Sequence, residues 1–436
     1  MADSADIAHL LRRTEFVVRP ARLSQLLLKP TLAAVVDDVL DTGLNGVTAL
    51  PPAFTYHDES NSWQQYVDAC NWWLNQMRDR PRPVQEKMTL FWHGHFTSAW
   101  NDIGRANFMM SQNQLFRTQG LGNLLALTQQ MAVQPAMLVY LDNAGNRKGS
   151  PNQNFARELM ELFTLGVGNY SEADVEAAAR AWTGHNADWP SYGYQFVAGR
   201  HDMGNKTFFG TTKNWDGPQI IDEILRDNPG KRLIAARHIT KKLWDFFAHP
   251  GGSTTVIDQL ADVFIANNLE IKPLLRALFN RPEFYTSQAK HGLVRTPTEY
   301  MVALSFHTGV TFDDLGPTWM GDRMGQQLFN PPNVAGWKHN AAWLNTSAVS
   351  ARAQVARGVT WKLRANGGFD FLSAMSVPVA VDHVANVFGM SSLSASTRNA
   401  LIAAHQAERD AQPWTSWWAP TNLLTMTMLA PEFHMA

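Results

Sequence analysis

The sequence predicts an all-α, multi-helix globular protein with one small β-hairpin element near residues 194–209. Three observations predict this class. Apolar residues recur at helical spacing along most of the 436-residue chain, prolines stand near the start of several such segments, and strand-like aromatic residues cluster in one stretch. We expect a single unit over residues 1–436, divided into two helical lobes (about 1–186 and 218–436) that the aromatic segment 187–217 joins.

The composition excludes several classes of protein. Charged residues make up only 17% of the chain, and 37 Lys+Arg against 38 Asp+Glu leave almost no net charge. A general nucleic-acid binder would carry a basic footprint, so we expect no such activity. The sole cysteine, Cys70, excludes an intrachain disulfide and a metal cluster made of thiolates alone.

The sequence also predicts a soluble chain. No window approaches the roughly 20 apolar residues of a membrane span. The N-terminal residues include acids and lack the apolar stretch of a secretory signal, so we expect a cytoplasmic protein without a transmembrane segment.

The elements follow from helical periodicity, which prolines and glycines interrupt. Before residue 186 we expect a loop at Thr42–Asn61 and two helices within Pro151–His185. The short strands Tyr194–Val197 and Thr207–Phe209 would pair around the turn His201–Asn205. Further helices are predicted at Ala5–Phe16, Pro20–Leu28, Pro30–Asp41, Ser62–Arg80, Gln85–Phe96, Leu121–Met131, Pro135–Leu141, Pro218–Arg226, Lys231–Phe247, Thr254–Asn267, Ile271–Phe279 and Thr296–Gly309. A long irregular stretch is predicted at Gly316–Ala342, and helices then continue to Leu429.

The two central helices have clear end signals. Asn152 or Asn154 can cap the first helix, and Gly166 follows its last apolar turn. Ser171 and Asp174 form an S-x-x-D capping box, which predicts the start of the second helix.

Charged side chains on the first of these helices make it the centre of the candidate site. Arg157, Glu158 and Glu161 lie one helical turn apart and can project together. Two neighbouring carboxylates raise each other's pKa, which suits a general acid, and they can also bind a hard cation. The alternative is an ion-pair network in which Arg157 and Arg180 neutralise both glutamates.

Two histidines in FWHGHF form a second candidate. On a helix the side chains of His93 and His95 point about 200° apart and cannot bind one ion together. On an extended segment they share a face and can bind a metal as a pair. The alternative is that the two histidines bind no metal and are hydrogen-bonded within an aromatic wall.

Two further polar segments carry candidate ligands. The turn HDMGNK would place His201, Asp202 and Lys206 close together, where they could contact a ligand. The alternative is that these side chains only form hydrogen bonds within the turn. RHITKKLW groups His238, Lys241 and Lys242 on one helix face, which is either a solvated basic face or an anion contact. Neither segment matches a P-loop, and no G-x-S-x-G or H-E-x-x-H occurs.

These motifs together resemble the bacterial family called domain of unknown function 1800. The resemblance runs from about His9 to Arg352 and is weaker beyond. It is carried by FWHGHF, NLLALTQQMAVQPAMLVYLDN, NQNFARELMELFTLGVGNYSEADVEAAARAWTG, HDMGNKTFFG, the predicted helix LRALFNRPEF (Leu275–Phe284) and LFNPPNVAGW.

The resemblance implies a mainly helical bacterial protein. Relatives often carry export signals, which this chain lacks, and their genes often neighbour a sulfatase-related family, so a sulfatase-like partner protein is implied. Relatives often have a histidine where this chain has Phe163, which weakens a metal site there.

Two hypotheses for function follow. The first is an enzyme, for example a hydrolase, that acts on a polar or glycan-like substrate in a cleft between the central helices and the His-rich motifs. Its cofactor would be a divalent metal or haem, although the absence of C-x-x-C-H excludes covalent c-type attachment. The second is a scaffold or partner-binding protein whose polar residues form a buried structural network. In the enzyme hypothesis the catalytic residues are Glu158, Glu161, His201 and Asp202, the substrate-binding residues are Arg157, Arg180, Lys206, Asn154 and Trp337, and the metal ligands are His93 and His95.

Overall fold

The computed structural model describes residues 3–188, 193–290, 292–365, 369–390, 393–411 and 418–436. Helices dominate these residues, and the strands form two small antiparallel sheets, so the predicted all-α class is confirmed. Most helix starts follow the sequence signals. Ser171 and Asp174 form the predicted capping box, and Gly166 adopts the left-handed conformation (φ +80°) after the preceding helix.

The first half of the chain supplies eleven helices in the described residues. They are α1 (Ser4–Glu15), α2 (Pro20–Leu27), α3 (Leu32–Leu40), α4 (Ser62–Asp79), α5 (Val84–His95), α6 (Trp100–Ile103), α7 (Ala106–Gln119), α8 (Leu124–Ala132), α9 (Pro135–Tyr140), α10 (Asn154–Glu161) and α11 (Glu172–Ala181).

The second half supplies the remaining described helices. They are α12 (Gly217–Asp222), α13 (Pro229–Phe247), α14 (Thr254–Ala266), α15 (Ile271–Phe279), α16 (Ser287–Lys290), α17 (Pro297–Thr308), α18 (Phe312–Leu315), α19 (Pro317–Met324), α20 (Thr346–Ala365), α21 (Val377–Val387), α22 (Ala395–Ala411), α23 (Trp418–Met428) and α24 (Pro431–His434). Single 3₁₀ turns, and one π-helical turn at Glu223–Asp227, connect several of them.

The strands pair differently from the sequence prediction. β1 (His185–Asp188) pairs with β2 (Gly193–Phe196), and β3 (Lys206–Phe208) pairs with β4 (Thr211–Lys213). The predicted pairing of residues 194–197 with residues 207–209 was therefore wrong. The physical reason lies in the turn after β3, where Phe209 and Gly210 both have positive φ (44° and 81°). Such a two-residue turn folds β3 back onto the next residues, although Phe-Gly lacks the usual Asn-Gly signature.

Two hydrophobic clusters form the interior, and each combines helices that are far apart in the sequence. One combines α1, α3, α5 and α8 with α10–α15, and the other combines α4 and α7 with α17–α23. Helix α5 contributes Val84, Met88 and Trp92 to the first cluster and Leu90 to the second. The helix that carries FWHGHF therefore lies between the two clusters. The predicted division into lobes near residues 186 and 218 stays a prediction.

No helix in the described ranges is long and apolar enough to cross a membrane.

Candidate functional site

A cavity of about 480 Å³ lies between α5, α13 and the loop after α19. Its wall is apolar with a few polar groups, as is typical of small-molecule sites. The lining residues are Leu90, Phe91, Gly94, His95, Lys241, Lys242, Asp245, Phe246, Pro250, Thr296, Gln326, Ala335, Trp337, His339 and Asn340. Three segments that the sequence singles out, FWHGHF, RHITKKLW and FNPPNVAGW, thus meet at one place.

Two glycines allow the loop to approach α5. A Cβ on Gly336 would lie 2.2 Å from the carbonyl oxygen of Gly94, and Gly336 has φ +80°. Only glycine meets both requirements without strain. The contact places the ring of Trp337 over Gly94, in the wall of the cavity. The indole Nε1 of Trp337 is buried and has no hydrogen-bond partner among the described residues.

Hydrogen bonds define the tautomer of His95. Its Nε2 lies 3.0 Å from the carbonyl oxygen of Phe163, and its Nδ1 lies 3.0 Å from Nζ of Lys242. A carbonyl oxygen only accepts, so Nε2 carries the proton and Nδ1 accepts from Lys242. Lys242 also donates to the carbonyl oxygen of Leu162 at 3.1 Å. Two protons of the amine are therefore engaged, and its remaining position is free for a ligand.

Burial and neighbouring positive charge disfavour protonation of these groups. Burial, with a smaller contribution from Lys241, lowers the pKa of Lys242 to about 8. Burial and the adjacent Lys242 hold the pKa of His95 well below its usual value. His238 donates to the same Leu162 carbonyl at 3.1 Å, and burial lowers its pKa to about 4. At neutral pH the cavity therefore contains neutral imidazole beside an amine that deprotonates easily.

The two histidines of FWHGHF do not converge. The segment is helical through His95, so the extended alternative does not apply. The ring of His93 packs against Trp73, Phe329 and Trp337 on the side of the second cluster, with centroid distances of 5.4–5.6 Å. Its Nε2 is buried and has no hydrogen-bond partner among the described residues. In the described part of the chain, no group of three or more His, Cys, Asp or Glu residues could hold a metal ion.

The predicted carboxylates on α10 do not line this cavity. Glu161 accepts a hydrogen bond from the hydroxyl of Tyr170. Arg157 forms a bidentate ion pair with the exposed Glu172, with N–O distances of 2.8 and 2.7 Å. Glu158 is half-buried, and burial together with Glu161 raises its pKa. The two glutamates are therefore neighbours, but Arg157 pairs elsewhere.

The turn after β2 gathers a second set of predicted residues. Arg180 Nε lies 2.7 Å from Oδ2 of Asp202, and Nδ1 of the buried His201 lies 2.8 Å from the carbonyl oxygen of Thr183. The amine of Lys206 is buried and donates to the carbonyl oxygens of Asp202 and Trp215 and to Oδ1 of Asn214. Hydrogen bonds to other protein groups thus satisfy most of the polar atoms in this turn. We name the set of Arg180, His201, Asp202 and Lys206 the Lys206 network.

The structure therefore distributes the predicted site residues over four places, of which one is the position of His93 among the rings of the second cluster. His95 and Trp337 line the cavity, Arg180, His201, Asp202 and Lys206 form the Lys206 network, and Arg157, Glu158 and Glu161 lie on α10, where Asn154 is exposed at the helix start. The assigned roles of these residues stay predictions.

Sequence reasoning grouped Lys242 with a basic helix face and passed over Asp245, His339 and Asn340. Lys242 lies one helical turn after His238, toward a side of α13 that is rich in apolar residues, and this position could have indicated that it is enclosed. For His339 and Asn340 the sequence offers only their position directly after FNPPNVAGW.

Comparison with known proteins places the chain in a family. The family model described as "Protein of unknown function (DUF1800)" matches residues 9–435, which extends the resemblance through the C-terminal helices. No curated protein and no solved structure matches the chain. The chain belongs to the DUF1800 family.

Proposed function

We propose that this protein is an enzyme that reacts with a small carbonyl compound through the amine of Lys242. The supporting observation is the arrangement of that amine, which lines the cavity while His95 Nδ1 and the Leu162 carbonyl hold two of its protons. When the amine is deprotonated, these two hydrogen bonds fix the direction of its lone pair. Desolvated lysines of lowered pKa are the usual amine nucleophiles of enzymes.

The reaction would begin with attack of the neutral amine on the carbonyl carbon. A C–N bond forms and the C–O bond breaks, both protons of the neutral amine leave with the carbonyl oxygen as water, and the product is a neutral imine between Lys242 and the substrate. No oxidant or reductant takes part in this step. His95 orients the amine and is a positioning residue, because its Nε2 proton is engaged by Phe163.

The wall of the cavity indicates the class of substrate. Leu90, Phe91 and Phe246 would contact an apolar body. The side chains of Gln326 and Asn340 form a polar part of the wall, against which an oxygen-bearing end would lie. A small aldehyde or ketone with an apolar ring or chain and one polar end fits this distribution.

Reductive trapping tests the proposal. The native protein is incubated with 4-carboxybenzaldehyde and sodium cyanoborohydride, and the labelled lysines are identified by peptide mass mapping. We expect Lys242 to be labelled several-fold faster than Lys241, its exposed neighbour on α13. The K242R variant should lose this label and the matched K241R variant should keep it. Labelling of Lys242 at or below the rate of Lys241 in the native protein would overturn the proposal.

The residues around the turn after β2 support a second candidate, the scaffold or partner-binding protein. Its support is the Lys206 network, in which protein oxygens accept three hydrogen bonds from a buried amine. A satisfied network of this kind specifies a structure without chemistry. A sulfatase-related protein is the proposed partner, and co-purification of the two from co-expressing cells tests the proposal. Acid–base catalysis by Glu158 and Glu161, metal binding, hydrolase activity and a cytoplasmic location stay predictions.

A further inference from the structure

Gln326 places an unpaired amide nitrogen in the wall of the cavity that Lys242 lines. Of two adjoining cavities, Gln326 lines this larger one, of about 480 Å³, and not the smaller one, of about 30 Å³. The residue is only 3% exposed. Its amide oxygen accepts a hydrogen bond from the backbone N–H of Thr298 at 3.0 Å. Because a backbone N–H only donates, this bond fixes which amide atom is the oxygen and which is the nitrogen.

The amide nitrogen of Gln326 is left for a ligand. No described residue accepts a hydrogen bond from it. The indole nitrogens of Trp337 and Trp343 are fully enclosed, whereas the nitrogen of Gln326 reaches accessible space at the cavity wall. Two N–H donors of an otherwise buried side chain are therefore directed to a space that a small molecule can enter.

The main acceptors in the same wall are already engaged. Asp245 is the one carboxylate among the described residues that line the larger cavity, and it accepts hydrogen bonds from Lys241 and from the backbone N–H of Gly251. The side chain of Asn340 uses its oxygen and its nitrogen for backbone groups of the segment 292–294. The polar atoms that stay available in the wall are thus mainly donors.

This arrangement selects between ligands. In the free protein, water in the cavity can accept the hydrogen bonds of the Gln326 amide. A ligand that displaces this water without supplying an acceptor leaves a buried donor unpaired and loses affinity. A ligand with an acceptor at the same position restores the bond. A site of this kind discriminates strongly against analogues that lack the matching group.

We infer that Gln326 is a specificity-determining residue whose amide N–H groups bind a hydrogen-bond acceptor at the polar end of the substrate. The matching chemistry is a small molecule with an apolar ring or chain and an acceptor such as a carbonyl oxygen. The inference rests on the proposed function, because it takes the larger cavity as the substrate site. It does not require Lys242 to be reactive.

Two ligands of the same shape test the role of Gln326. Benzonitrile has an acceptor nitrogen where phenylacetylene has a C–H group, and neither contains the carbonyl group with which Lys242 would react. Titration calorimetry gives the dissociation constants of both. The preference for benzonitrile, expressed as the ratio of the two constants, should fall roughly tenfold from the native protein to the Q326E and Q326M variants.

The variants control for one another. Q326E keeps an acceptor oxygen for the backbone N–H of Thr298, and Q326M has no donor even if the new carboxyl of Q326E is protonated. The matched Q327M variant changes the neighbouring glutamine, which does not line the larger cavity, and should keep the native ratio. An unchanged ratio in both Gln326 variants, or no binding of either ligand to the native protein, would overturn the inference.

Crystals of the native protein soaked with 4-bromobenzonitrile keep the test independent of whether the variants fold. The anomalous signal of the bromine gives the orientation of the ligand in the cavity. We expect the nitrile nitrogen within hydrogen-bond distance of Nε2 of Gln326, and a nitrile directed elsewhere would overturn the inference. Failure of 4-carboxybenzaldehyde to label Lys242 would instead overturn the proposed function, and it would leave the ratio of the two dissociation constants unaffected.

Discussion

Lys242 Nζ and His95 Nδ1 lie 3.0 Å apart, although the two residues are 147 positions apart in the sequence. The contact joins α13 to α5 at the wall of the larger cavity. Because Phe163 accepts the Nε2 proton of His95, the imidazole presents only an acceptor to the lysine. The electrostatic consequence is an amine that is buried beside a neutral ring and not beside a carboxylate.

The first prediction concerns the pH dependence of stability that Lys242 produces. Its pKa falls from 10.5 to about 8 in the folded state, so the unfolded chain binds more protons between these two values. The folded protein should therefore gain stability from this residue as pH rises from about 8 to 10.5. The gain relative to K242M should reach at most about 3 kcal/mol, as measured by urea denaturation across that range.

The K272M variant is the matched control, because it removes an exposed lysine on another helix, α15. If the difference in unfolding free energy between the native protein and K242M stays constant from pH 7.5 to 10.5, the pKa of Lys242 is not lowered.

The second prediction concerns the glycine contact that positions Trp337. The Cβ of a G336A variant would overlap the carbonyl oxygen of Gly94 and would also strain a backbone with φ +80°. We expect a loss of about 3 kcal/mol or more of unfolding free energy. G149A is the matched control, since Gly149 has φ +83° but open space around its Cα, and should cost only about 1 kcal/mol. Equal losses in both variants would show that the loop does not approach α5 closely.

Much of the fold could be predicted because its signals are local. The capping box at Ser171 and the left-handed glycine at Gly166 depend on residues within one turn of each other, and both are confirmed. The strand pairing was wrong because Phe209 adopts a positive φ that its residue type rarely adopts. No sequence pattern indicates that conformation.

The cavity could not be predicted in the same way, because it depends on long-range packing. FWHGHF was identified as a motif, but the partner of His95 lies on α13 and the cover of Gly94 comes from the loop after α19. Sequence spacing along one helix shows only which residues share a face. It does not show that Lys242 is enclosed, and enclosure is what lowers its pKa.

The third prediction separates structural from surface lysines in the β3–β4 hairpin. Lys206 and Lys213 are register partners, but the amine of Lys206 is buried and donates three hydrogen bonds, whereas Lys213 is exposed over the ring of Trp215. K206M should lower the unfolding free energy by about 2–3 kcal/mol because it leaves buried oxygens without a donor. K213M should lower it by less than about 1 kcal/mol. Similar small losses in urea denaturation of both variants would argue against a structural role for the Lys206 network.

The fourth prediction uses the opposite pKa shifts of two glutamates near α10. Burial and Glu161 raise the pKa of Glu158, whereas the ion pair with Arg157 lowers that of Glu172. Between the ordinary pKa and the raised value, the folded protein binds more protons at Glu158, so stability from this group falls as pH rises. E158Q should therefore become more stable relative to the native protein between pH 4 and pH 7. E172Q should become less stable over the same range, because its carboxylate is favoured in the folded state. Urea denaturation at the two pH values measures both differences, and a change of the same sign in both variants would contradict the raised pKa of Glu158.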